Sequence, residues 1–146
     1  MLINKGEIAN RIPHAGEMCL LEGVIEWDAS TIRCIACSHR DTNNPLRSCE
    51  RLPALCGVEY AAQAMALHGA LSGAVGQRAR SGYLASVRDL VCHVERLDTL
   101  TGDLAIDAEK LLGDELRVIY HFRLYSDGTE LISGRAAVVL DAAGQS

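Results

Sequence analysis

The apolar positions of this chain fall into runs of two kinds, divided by polar stretches that carry glycine or proline. Residues 1–16 read as an arm or short helix followed by a turn at Pro13 and Gly16. Residues 18–28, "MCLLEGVIEWD", and 30–40, "STIRCIACSHR", are rich in β-formers and lie either side of a short break, so they predict a hairpin. The stretch 41–53, "DTNNPLRSCERLP", is polar and proline-containing and predicts a loop. Residues 54–75 are dominated by Ala, Leu and Met and predict a long helix that frays through glycines. Four strand-like runs follow at 82–97, 101–112, 115–126 and 130–141, and "DGT" between the last two is a strong hairpin signal. The tail 142–146 is expected to fray.

The predicted helix is apolar on nearly every side, which predicts burial on nearly every side. A helix lying on a flat sheet leaves one face wet. An antiparallel sheet that wraps around the helix covers more of it. The pattern therefore predicts an α+β hotdog fold, with residues 1–146 forming a single domain and no internal repeat or linker.

Composition narrows the function. The 146 residues carry a formal net charge of −5, which argues against nucleic acid as the main partner. No apolar run is long enough for a membrane span, and the N-terminus has no apolar core of a secretory signal. The expectation is a cytoplasmic protein with no membrane span, so its six cysteines read as reduced thiols. Cys34 and Cys37 have zinc-like spacing with His39 nearby, but no second half-site accompanies them. Strand alternation also sets the two on opposite faces. No metal and no cofactor is expected.

One carboxylate stands out. Glu59 lies near the start of the apolar helix, with Gln63 one turn later. At that place "LPALCGVEYAAQAMA", residues 52–66, resembles the "MPGVLIxEAMAQA" helix of bacterial 3-hydroxyacyl-ACP dehydratases. Pro53 falls on that family's Pro, Ala54 on its Gly, Glu59 on its catalytic acid and Gln63 on its Gln. Two further stretches agree in order. "IPHAGEMCLLEGVIEWD" is similar to the family's "LPHRxPFLLVDRV", and "YLASVRDLVCHVERLDTLTGDLAI" to its "YFAGIDxARFxxPVxPGDxL". The resemblance spans about residues 10 to 140. One departure is large. The family's catalytic histidine, in "GHFP", falls fourteen residues before the acid, and here that position is Pro45. The chain resembles a divergent dehydratase branch such as that of aryl-polyene lipid gene clusters.

The chemistry sets what must be found. Dehydration removes a proton from C2 and a hydroxyl from C3 of a 3-hydroxyacyl thioester, so it needs a base, an acid and donors for the thioester oxygen. The resemblance implies Glu59 as the acid, in the first turn where the helix dipole favours a carboxylate. The N–H groups of Ala54 to Gly57, including Cys56, are candidates to face the thioester oxygen. Gln63 either orients Glu59 or is a satisfied polar group at a dimer seam. His14, after Pro13, is the candidate base, since imidazole titrates near neutrality. His39 is expected to face solvent, His68 to point away from Glu59, and His93 and His121 to be sheet residues. Cys56 as a nucleophile lacks an evident base.

Three functions follow from the resemblance. The first is a lyase, a 3-hydroxyacyl-[acyl carrier protein] dehydratase in fatty-acid or polyene lipid synthesis, acting on an acyl thioester on acyl carrier protein or CoA. The second is a catalytically inactive hotdog subunit that binds acyl chains or supports an active partner. The third is an acyl thioesterase. A homodimer, or a heterodimer with another hotdog subunit, is implied. Arg40, Arg47 and Arg51 before the helix are a candidate landing patch for an acidic carrier, or else an ordinary solvated loop.

Overall fold

The computed structural model describes residues 2–11, 18–72, 82–114 and 116–140. A short strand β1 (Ile3–Asn4) leads into helix α1 (Lys5–Ala9), which starts with a reciprocal capping box between Asn4 and Glu7. Strands β2 (Gly23–Trp27) and β3 (Thr31–Ala36) form the first hairpin. Its turn is fixed by the Asp28 carboxylate, which accepts from the amides of Ser30 and Thr31 at 2.8 Å each. A 3₁₀ turn at Ala54–Cys56 then opens into helix α2 (Gly57–Ser72). Strands β4 (Gly82–Cys92), β5 (Leu104–Gly113), β6 (Arg117–Ser126) and β7 (Thr129–Leu140) complete one seven-stranded antiparallel sheet of order β1-β2-β3-β5-β6-β7-β4.

The "DGT" prediction holds. Asp127 and Gly128 both have positive φ, 50° and 77°, as a hairpin turn matched to strand twist requires. The strands alternate strictly about the helix. Ile32, Cys34 and Ala36 of β3, Leu104, Ile106 and Ala108 of β5, and Tyr120, Phe122 and Leu124 of β6 point inward and are buried. Tyr60, Ala61, Ala64, Met65 and Leu67 of α2 are buried among them. This is the hotdog architecture the pattern predicts. The small residues of α2 let the sheet come close. At Gly57 an added Cβ would collide with Ile132 Cδ1 and lie 3.0 Å from Leu124 Cδ2, so the helix start is seated directly on β6 and β7. No helix among the described residues is long and apolar enough to cross a membrane.

Three expectations need correcting. Residues 18–22 are not in the sheet, although Cys19, Leu20 and Leu21 are buried. The backbone groups of Met18 and Leu20 are paired by side chains, as described below, while the Glu22 amide donates to the Ile35 carbonyl of β3 at 2.8 Å. Helix α2 is not buried all round. Ala66 and Gly69 are exposed, and Val58, Ala62 and Ala70 are half-buried, so one apolar stripe is left open within the subunit. His39 does not face solvent. It is fully buried in a 3₁₀ turn at Ser38–Arg40, where Nε2 bonds the Gly102 carbonyl at 2.9 Å. Burial lowers its pKa. The turn at Pro13 and Gly16 and the tail at 142–146 lie outside the described residues.

Candidate active site

Glu59 is the third residue of α2, in the first turn, and is half-buried. It lies where the covered side of the helix meets the open stripe. A carboxylate there gains from the helix dipole. Its Oε1 is 3.5 Å from Gln63 Nε2, a long contact from one turn along.

Gln63 is fully buried and does more than touch Glu59. Its Nε2 donates to the Met18 carbonyl at 2.7 Å, and its Oε1 accepts from the Leu20 amide at 2.9 Å. The side-chain amide thus stands in for a neighbouring strand and pins residues 18–20 to the helix. That accounts for a buried segment outside the ladder, since buried backbone groups must find partners.

A second set of bonds holds the loop before the helix. Tyr60 is buried, and its hydroxyl lies 2.8 Å from Ser38 Oγ and accepts from Asn44 Nδ2 at 3.1 Å. Ser38 Oγ donates to the Leu20 carbonyl at 2.7 Å. Asn44 Nδ2 also donates to the Ser38 carbonyl, and its Oδ1 accepts from the Leu46 amide, both at 2.8 Å. Asn44 therefore points into the core, while its neighbour Pro45 is exposed. Tyr60, Ser38 and Asn44 escaped the sequence reading. The signal available was only a tyrosine beside the acid and small polar residues in a loop. A cavity of about 270 Å³ adjoins this loop, lined by Lys5, Cys19, Ser38, Asp41, Asn43, Asn44 and Pro45.

The helix-start amides differ from expectation. Ala54 N–H donates to the Glu95 carbonyl at 2.9 Å and Cys56 N–H to the Pro53 carbonyl at 3.0 Å. Gly57 N–H is directed to the Ala54 and Leu55 carbonyls. Three of the four amides expected to receive a thioester oxygen are thus engaged within the subunit. The Cys56 thiol lies 3.9 Å from the Leu46 carbonyl, and burial raises its pKa, which opposes thiolate formation. Cys34 faces the core and is pushed up to about 12 by burial.

His14 lies outside the described residues. The four remaining histidines are engaged elsewhere. His39 is held in its turn. His68 is buried, with Nδ1 2.8 Å from the Tyr120 hydroxyl and Nε2 2.9 Å from the Asp28 carbonyl. A carbonyl can only accept, so Nε2 carries the proton and Nδ1 accepts from the tyrosine. Burial lowers the His68 pKa as well. His93 is exposed and 3.2 Å from Glu130. His121 pairs in register with Glu109 and Arg135 on the sheet face away from α2. Of the three arginines before the helix, Arg51 is exposed and the other two are bonded within the subunit. Arg40 donates to the Thr101 carbonyl at 2.9 Å and to Asp103 at 2.8 Å, and Arg47 to the His39 and Glu50 carbonyls at 3.1 and 3.4 Å.

Known structures share this fold. The dehydratase heterocomplex ApeI:P from Xenorhabdus doucetiae aligns with a TM-score of 0.80 at 25% identity, over 93% of this chain and 91% of that one. A thioesterase from Haemophilus influenzae aligns with a TM-score of 0.69 at 10% identity, over 99% and 98% of the two chains. A hypothetical thioesterase from Streptococcus pneumoniae, solved with coenzyme A, aligns at 0.60 and 10% identity, over 82% and 84%. At that identity the thioesterases share the fold alone. No curated protein matches by sequence. A family model described as ApeP dehydratase matches residues 6–145, which is nearly the whole chain, and the chain therefore belongs to the ApeP-like family of dehydratases.

Proposed function

We propose that this chain is the acid-bearing subunit of a dehydratase for 3-hydroxyacyl thioesters carried on acyl carrier protein or CoA, working in cytoplasmic lipid or polyene synthesis. The observation that carries the reading is the setting of Glu59. It is a carboxylate in the first turn of an otherwise apolar helix, at the rim of the open stripe, beside a fully buried glutamine. In the proposed step a base takes the C2 proton. The C–H electrons become the C2–C3 double bond, and the C3–O bond breaks. Glu59 hands its proton to the departing hydroxyl, which leaves as water.

The base has two candidate sources. His14 is four residues before Met18, whose carbonyl is tied to Gln63. An imidazole side chain is the usual general base near neutral pH. The other source is a second hotdog subunit. It is favoured by the exposed Pro45 at the histidine position of the dehydratases and by the open apolar stripe beside Glu59. A partner seated there would also exclude water and could bring the oxyanion donors that the engaged amides of Ala54, Cys56 and Gly57 do not offer.

The test is product analysis after incubating the chain, alone and co-purified with a hotdog partner, with 3-hydroxyacyl thioesters. Enoyl thioester is the expected product. Free acid would replace this reading with a thioesterase, and no turnover under either condition would leave a binding subunit. In the active sample His14→Ala separates the bases: loss of turnover assigns the base to His14, and unchanged turnover assigns it to the partner.

A further inference from the structure

The outer face of the sheet, opposite α2, is crossed by a row of side chains in register. Thr31 of β3 pairs with Glu109 of β5, Glu109 with His121 of β6, His121 with Arg135 of β7, and Arg135 with Arg88 of β4. Charges flanking this row are used within the subunit. Arg33 grips Asp107 through two bonds of 2.7 Å, and Arg123 lies 3.4 Å from Glu130. Glu109, Arg135 and Arg88 are handled differently. All three are exposed, and among the described residues none of them has an ion pair.

The register keeps these charges apart. Neighbouring strands are about 4.8 Å apart, so Glu109 and Arg135, with His121 between them, stand about 10 Å apart at the backbone. Arg88 stands directly opposite Arg135, and like charges in that position destabilise a ladder. The acid therefore lies on one side of β6 and the two arginines on the other.

That order is self-complementary. Turning a second copy over about an axis along β6 lays outer face on outer face. Glu109 of each copy then meets Arg135 of the other, and each Arg88 meets the other copy's Thr31. Facing sheets pack about 10 Å apart, a gap that a glutamate and an arginine span together. A cavity of about 220 Å³ lies over β3, β5 and β6, with Glu26, Asp107 and Glu109 in its walls. It is where the second copy's arginines arrive. The next row is apolar and ordered about β6 in the same way: Leu112 pairs with Ile119, and Ile119 with Ala137. Leu112 is 65% exposed, and the same operation lays it on the other copy's Ala137. Two further cations, Arg117 and Arg123 of β6, lie along the axis. Arg123 is already beside Glu130, and Arg117 is at the end of the strand, at the rim of the contact.

We infer that the outer face of the sheet is an interface with a second copy of this chain, held by two reciprocal Glu109–Arg135 ion pairs. The inference goes beyond the proposed function and does not draw on it. The face it uses is opposite α2, so the open stripe of the helix and Glu59 stay free. A two-fold interface needs one patch that complements itself, and opposite charges within the patch set its register and its salt dependence.

Charge swaps in the full chain test it by sedimentation equilibrium at low salt. The samples are wild type, E109R, R135E, an equal mixture of the two single variants, and the double variant E109R/R135E. Each single swap puts like charges in both pairs of the homodimer and should weaken association at least about tenfold. In the mixture an E109R copy meets an R135E copy with opposite charges in both pairs, so association should return, as it should in the double variant. These differences should close as salt rises. A wild-type chain that stays monomeric at low salt overturns the inference. So do single swaps that associate as wild type does, or a mixture that associates no more tightly than its components. Should a single swap fail to fold, E109Q and R135Q take its place. Each removes the ion pairs and must weaken association, and unchanged association contradicts the inference.

Discussion

The two sides of α2 have nearly the same composition and opposite fates. On the covered side, Tyr60, Ala61, Gln63, Ala64, Met65 and Leu67 are buried and every polar group among them is bonded within the subunit. On the other side, Val58, Ala62, Ala66, Gly69 and Ala70 are as apolar but partly or wholly exposed, with Glu59 at their edge. A helix that is apolar all round is one that is covered all round. Here the subunit supplies half of the cover. The difference teaches that one side of α2 is matched to its own sheet, while the other is an apolar surface that the proposed partner subunit would cover.

The sharpest way to break the covered side is Gln63→Leu. It leaves the Leu20 amide and Met18 carbonyl unpaired, at about 1–3 kcal/mol for each group. Chemical denaturation should show the loss. Ala64 and Ala66 test the comparison itself, two positions apart on one helix. Ala64→Leu overpacks a buried site and should cost about 1–3 kcal/mol. Ala66→Leu should leave the stability of the isolated chain within about 0.5 kcal/mol and weaken association with a partner. Equal effects on stability would mean that the two sides are not different.

Much of this was legible beforehand because it depends on local rules. Strict alternation in 104–108 and 118–124 specifies strands, "DGT" specifies its hairpin, and the Ala-rich run specifies the helix. Glu59 and Gln63 stood out as polar residues in an apolar segment. What escaped depends on long-range pairing. Leu20 is buried in a β-rich run, yet its partner is a glutamine side chain forty-three residues away. Ser38, Asn44 and Tyr60 meet only after the loop folds back on the helix. Whether a helix-start amide is free depends on where the Glu95 carbonyl falls, which no spacing near Ala54 reveals.

Tyr60→Phe removes the hydroxyl that joins Ser38 and Asn44 and should cost about 1 kcal/mol. The expected signature is a small drop in melting temperature and faster hydrogen exchange at Leu46. The smallest effect concerns pH. Burial lowers the pKa of His39 and His68, so below the ordinary histidine value near about 6.5 the unfolded chain binds more protons than the folded one. Stability should therefore fall as pH falls from 7.5 to 5.5. His68→Gln should flatten that slope, as read from melting temperatures across the range, and an unchanged slope would exclude His68 as a source.

The most direct measurement is the rate of enoyl-thioester formation by Glu59→Gln beside wild type, each in the sample that turns over, with folding and partner association checked in parallel. The amide keeps the shape and the neighbour Gln63 but has no proton to give the departing hydroxyl. The predicted result is a loss of about 10²–10⁴-fold in kcat with assembly intact. A rate within a few fold of wild type would contradict the account and take Glu59 out of the chemistry.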